Sequence, residues 1–140
     1  MQQLSGGVFI NIILMMLGGF IGSICRFYAG EWARGHLDAR VPFGTLLINL
    51  LGCFFLGWLL TYASRKVQIN ERVVLFLGTG FTGSFTTFSA FSVETVILLD
   101  DGHFLWAAIY VLLSILLGLC FAIAGKALAD SIFIRGGESE

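Results

Sequence analysis

Charged residues divide this chain into four uncharged stretches. Residues 1–25, 41–64, 73–93 and 104–125 contain no Asp, Glu, Lys or Arg. A bilayer core of ~30 Å is crossed by a helix of about 20 apolar residues, so each stretch is long enough to span one. Beyond Val93 only Glu94 interrupts an apolar run that reaches Leu99. The pattern predicts four spanning helices over about residues 8–30, 41–64, 73–99 and 104–126. Almost nothing is left for a soluble domain, so residues 1–140 are expected to form a single all-α transmembrane domain.

The connections carry their own signals. The first, residues 31–40, is flanked by Gly30 and contains Gly35, and both are expected to break the helix. Pro42 suits the first turn of the second helix. In the second connection, residues 65–72, Asn70 or a neighbour can cap the third helix. The third, residues 100–103, is so short that spans three and four must be antiparallel neighbours. The tail after Lys126 ends in Arg135-Gly136-Gly137 and is expected to fray. The first stretch has no positive leader, since its first cation is Arg26, and is expected to be a retained span rather than a signal peptide.

Composition sharpens this picture. Only 12% of residues are charged and the mean hydropathy is +0.90, where a soluble domain carries about 25% charged residues. The formal net charge of −1 and the lack of a basic stripe argue against nucleic acid as a partner. Cys25, Cys53 and Cys120 form no CxxC pair and lie far in sequence from His36 and His103. They read as small buried apolar residues rather than as a disulfide or metal framework. With four spans, Arg65, Lys66, Arg72, Lys126 and Arg135 fall on the side of the termini, and Arg26, Arg34 and Arg40 on the other. That asymmetry is weak for a rule driven by Lys and Arg, so the chain is expected to insert in both orientations.

The third stretch is unusual for a helix that faces lipid. Gly78, Gly80 and Gly83 lead into six hydroxyls within eleven residues: Thr82, Ser84, Thr86, Thr87, Ser89 and Ser92. Small residues of this kind also serve plain helix packing. Their density, with glycines and β-branched threonines together, instead favours an interruption at residues 83–86. Non-helical backbone at membrane depth persists only when it is buried in protein or lines a wet cavity. There its carbonyls can bind a cation and its N–H groups an anion. Phe85, Phe88 and Phe91 recur every three residues along one face. They are either ordinary packing residues or rings whose positive edges attract a small anion weakly, as conduction requires.

Other spans add polar groups. Thr45 and Asn49 stand four apart in span two, with Gly44 and Gly52 nearby; the Asn49 amide can bond a neighbouring helix or donate to an anion. Tyr110 and Ser114 repeat the spacing in span four. Glu94 is an acid close to or within the membrane, a functional candidate by default. Arg26 is either a helix-end anchor or a functional cation.

Taken together, the stretches Gly18-Gly19-x-x-Gly22-Ser23-x-x-Arg26-Phe27-Tyr28, Pro42-x-Gly44-Thr45-x-x-x-Asn49-x-x-Gly52 and Gly80-x-x-Gly83-Ser84-Phe85-Thr86-Thr87-Phe88-Ser89-Ala90-Phe91-Ser92-x-Glu94 resemble the Fluc (CrcB) fluoride channels. The resemblance covers essentially the whole chain. It implies a passive, fluoride-selective channel in the cell (inner or plasma) membrane rather than an enzyme, relieving fluoride toxicity by export. It further implies an antiparallel, dual-topology homodimer with a broken third helix. A structural Na+ at the dimer centre would be held by the backbone carbonyls of Gly83 and Thr86. By the same resemblance Phe88 and Phe91 are the edge-on pore rings and Asn49 the pore amide. Thr45, Thr87, Ser89, Tyr110 and Ser114 are further pore-lining positions, and Arg26 belongs to a vestibule.

Two other classes compete. A proton-coupled exporter of the small multidrug type shares the four-span, dual-topology plan but centres on an acid in span one, whereas here the acid, Glu94, is in span three. A non-transporting scaffold accounts for the glycines but not for the ordered phenylalanines and hydroxyls. No GxxxxGK[ST] nucleotide loop is present, which favours passive conduction over a pump.

Overall fold

A computed structural model describes residues 2–36, 42–65 and 69–137. Arg40 and Lys66, two of the counted cations, and Val41, where the second span is expected to begin, lie outside the described residues.

Helix α1 runs over Gln2–His36. Gly30 and Gly35 do not end it, against the sequence expectation. A Cβ at either would meet nothing within 4 Å, and glycine inside a helix costs only ~1 kcal/mol relative to alanine. An Arg34–Glu31 ion pair and a Trp32 ring stacked on His36, centroids 5.0 Å apart, tie these last turns together. Arg26 therefore lies inside α1 rather than at its end. Helix α2 covers Phe43–Ser64, with Pro42 at its N-cap, one position before the first turn.

The third segment is irregular. Asn70 caps α3 (Glu71–Val74) as expected, its side chain accepting the Arg72 N–H at 3.0 Å. A π-helical stretch, Leu75–Thr82, follows. Its wider repeat shows in the Thr82 hydroxyl, which donates to the carbonyl of Leu77 five residues back at 2.7 Å. Gly83–Phe85 forms one further helical turn, α4. Thr86 (φ −77°, ψ 158°) and Thr87 (φ −149°, ψ 116°) are extended, and α5 begins at Phe88 and ends at Asp100. The non-helical pair thus sits at the C-terminal edge of, and one residue beyond, the expected 83–86.

The turn into α6 is a Schellman closure. His103 N–H donates to Leu98 O at 2.8 Å and Gly102 N–H to Leu99 O at 3.0 Å, with Gly102 at φ +77°, a conformation glycine adopts without penalty. Helix α6 runs over Phe104–Gly137, so the tail expected to fray after Lys126 is helical. Its Asp130 carboxylate accepts from Arg65 at 2.6 Å and from Lys126 at 3.1 Å, fastening that part of α6 to the end of α2.

Glycines let the helices approach closely. A Cβ at Gly18 or Gly22 of α1 would lie 2.3 Å from the carbonyl oxygen of Phe76 or Phe81 respectively. Between α2 and α6 the same holds for Gly57, 2.3 Å from Ala122 O, and Gly125, 2.1 Å from Phe54 O. Small-residue contacts of this kind drive helix association where lipid removes the hydrophobic force between helices. A buried cluster of Leu46, Leu50, Leu98, Ala107 and Tyr110 joins α2, α5 and α6, with Phe91 packed against it.

Large apolar side chains cover the outside, including Met16 (68% exposed), Phe20 (66%) and Leu105 (71%). Four segments are long and apolar enough to cross a membrane: Gly7–His36, Phe43–Ser64, Glu71–Asp100 and Phe104–Ile132. No strand occurs among the described residues. The cysteines are unpaired, but Cys25 and Cys120 are exposed and only Cys53 is half-buried, so the expectation of burial fails for two of the three.

Candidate functional site

Asn49 on α2 reaches the extended pair between α4 and α5. Its Oδ1 accepts the Thr87 N–H at 2.8 Å and its Nδ2 donates to the Thr87 carbonyl at 3.1 Å. The amide thus takes the place of a strand partner for one residue. Beside it, a Cβ at Gly52 would lie 2.1 Å from Thr86 Cγ2; only glycine leaves room for that threonine. One of the two Asn49 amide protons is committed to Thr87, and an NH₂ group has two.

The same contact releases carbonyls. In a continuous helix the N–H of residue 87 would close on Gly83 O and that of residue 90 on Thr86 O. Here Thr87 N–H is turned to Asn49, and Ala90 N–H donates to Thr87 Oγ1 at 3.1 Å as the cap of α5. Gly83 faces open space, its nearest neighbour to a built Cβ being Gly78 O at 4.0 Å. Two backbone oxygens freed from the ladder are hard-ion donors of the kind an alkali cation takes.

The phenylalanine series divides at the extended pair. Phe85 stacks on Phe81, centroids 5.7 Å apart, and no longer shares a face with the other two. Phe88 is 79% exposed on the single chain, and its ring lies 5.7 Å from that of Phe91. Phe91 in turn packs against Tyr110 at 5.2 Å. Thr87 Oγ1 and Ser89 Oγ are 3.1 Å apart. One hydroxyl of that pair donates to the other, which leaves one proton uncommitted.

Glu94 gathers three helices. It accepts from Thr45 Oγ1 of α2 at 2.6 Å and from the Tyr110 hydroxyl of α6 at 2.8 Å. These two hydroxyls therefore spend their protons on a carboxylate. Ser114 donates to the Tyr110 carbonyl at 2.7 Å, an ordinary helical back-bond. A cavity of about 910 Å³ opens beside this cluster, and Arg26, Thr45, Thr87 and Glu94 line it. The structure thus brings Arg26, Thr45, Asn49, Thr87, Ser89, Phe91, Glu94 and Tyr110 into one connected region, with Phe88 on its outer surface.

The family model described as CrcB-like protein, Camphor Resistance (CrcB), matches residues 13–126. The chain belongs to the CrcB family. Among CrcB relatives, a protein of Oceanobacillus iheyensis named fluoride-specific ion channel FluC is 47% identical over 119 residues, which are 85% of this chain and 91% of that protein. A Bacillus cereus protein named fluoride-specific ion channel FluC 1 is 45% identical over 118 residues, 84% of this chain and 82% of its own length. A FluC of Rhizobium johnstonii is 40% identical over 123 residues, 88% of this chain and 98% of that one. The CrcB match takes in every candidate residue above, whereas the Asp130 clamp lies beyond it.

Sequence reading passed over two residues of the cavity wall, Asp101 and His103. Their signal was their place in the turn that follows Glu94 by two helical turns. That signal has no weight until the turn is known to fold back toward α1.

Proposed function

We propose that this chain is a fluoride-selective passive channel that exports cytoplasmic fluoride across the cell membrane. The observation that carries the reading is the 47% identity, over 85% of the chain, to a protein named as a fluoride-specific ion channel. The geometry supports it. Fluoride is small and strongly hydrated, so it must exchange water for donors that are good but not too good. The uncommitted donors here are graded and neutral: the second Asn49 N–H, the spare proton of the Thr87–Ser89 pair and the edges of Phe88 and Phe91. No Lys or Arg stands in the middle of spans two, three or four, where it would trap the ion. Arg26 lines the cavity wall, and on this reading its charge would draw an anion toward the site.

On this reading the third span is a broken helix at membrane depth, its break at Thr86–Thr87 held open by Asn49. The functional unit is an antiparallel homodimer inserted in both orientations. It would bury exposed Phe88 and the open face of Gly83 against the second copy. The Gly83 and Thr86 carbonyls, freed from helical bonding, fit a structural Na+, which would add a fixed positive field at the centre of the assembly. Hydrogen fluoride crosses bilayers and dissociates inside at neutral pH. A passive path lets the negative-inside potential expel the anion, each charge being worth ~2.3 kcal/mol per 100 mV.

Efflux from liposomes containing the purified protein tests the reading. Fluoride should leave rapidly down its gradient while chloride does not, with no requirement for a proton gradient. Equal chloride efflux, or flux that needs a proton gradient, would overturn it, the latter in favour of a coupled exporter.

A further inference from the structure

His103 lies in the turn between α5 and α6, yet it shares the cavity wall with Arg26 and Glu94. Its backbone is fixed by the Schellman closure and by Ala107 N–H, which donates to its carbonyl at 3.0 Å. Among the described residues its imidazole has no hydrogen-bond partner. The charged groups that line the same cavity are Arg26 and Arg34 from α1, and Glu94 and Asp101 from α5 and its turn. Helix α2 contributes no titratable side chain to that wall, and Tyr110 of α6 stands behind Glu94. The described lining residues thus carry two positive and two negative charges, and Arg34 is also ion-paired with Glu31 on α1. Histidine is the side chain whose charge ordinarily changes between pH 5 and 8.

We infer that His103 sets the electrostatic potential of this cavity and so controls how readily an anion reaches the conducting site. This rests on the channel reading above. When the ring is protonated, the wall gains one positive charge. A cavity with low-dielectric walls focuses that charge on an approaching anion and raises its local concentration. The effect acts through the cavity wall rather than on the donors of the site, so it changes the rate of access and leaves selectivity unaltered.

Single-channel current in planar bilayers tests this, because neutral hydrogen fluoride carries no current. At low ionic strength and sub-saturating fluoride, the unitary current at pH 6 should exceed that at pH 8 by about twofold, and the difference should shrink as salt shortens the screening length. His103→Gln should hold the current at its pH 8 value throughout, and His103→Arg should hold it at the higher value. A wild-type current that is flat from pH 6 to 8, or a slope retained in His103→Gln, overturns the inference while leaving the channel reading intact. Absence of fluoride current at every pH removes the channel reading and this inference with it.

Discussion

The side-chain amide of Asn49 forms two hydrogen bonds to the backbone of Thr87, accepting its N–H at 2.8 Å and donating to its carbonyl at 3.1 Å. A residue on one helix thereby supplies the pairing that Thr87 forgoes by leaving the helical ladder. Thr87 is buried, so without such a partner its extended backbone would carry the cost of two unsatisfied groups. The bond network and the proposed ion path share the same amide, and substitutions there should act on both.

Asn49→Ala should lower fluoride flux sharply and destabilise the fold by about 2 kcal/mol, since both Thr87 backbone groups lose their partner. Asn49→Asp keeps an acceptor for the Thr87 N–H but has no donor for the Thr87 carbonyl and adds a negative charge beside the path. It should fold better than the alanine variant and yet conduct no better. Liposome efflux together with thermal stability in detergent reads both effects.

Phe88→Ile and Phe91→Ile keep apolar volume but remove the ring edge. Each should nearly abolish fluoride efflux while the protein still elutes as a single species. Unchanged flux in both variants would remove the ring-edge argument. Phe91 packs on Tyr110, whereas Phe88 is exposed on the single chain, so Phe91→Ile should also cost the greater stability.

Glycine substitutions should separate packing from flexibility. Gly57→Ala places a methyl 2.3 Å from Ala122 O and must push α2 from α6, a loss of about 1–3 kcal/mol. Gly30→Ala meets nothing within 4 Å and should stabilise α1 by up to about 1 kcal/mol. Retention of the folded species after heating in detergent ranks the two.

Dual insertion has a direct readout. Reporters fused to the C-terminus should give signal from both sides of the membrane. Adding two lysines next to Arg65 should shift the population toward one orientation, because orientation follows the Lys and Arg bias of short loops. A wild-type signal from one side alone would contradict dual insertion.

Much of the site was legible in the sequence as chemistry but not as geometry. The density of hydroxyls and glycines marks the third span, and its glycines and β-branched threonines together point to a break at residues 83–86. The structure keeps Gly83 helical and extends Thr86 and Thr87 instead, since the partner that makes extension affordable is thirty-eight positions away. The resemblance to the fluoride channels makes Thr45 and Tyr110 pore-lining positions. In the fold both point at Glu94, a pairing between three helices that no local spacing encodes. Gly30 and Gly35 carry the local signal of a helix break and do not break α1, because local propensity is weak against the drive to keep backbone bonds closed near a membrane.

What the sequence determined by itself was the number of helices able to span a membrane and roughly where they lie, the weak charge bias and the chemical identity of the third span. These follow from hydropathy and charge, which each residue carries independently of its neighbours in space. Tertiary structure alone decided where the ladder opens, which carbonyls and protons are left over and that His103 shares a cavity with Arg26 and Glu94. Those outcomes depend on helices meeting at contact distance, and the approach is set by glycines packed against backbone far along the chain.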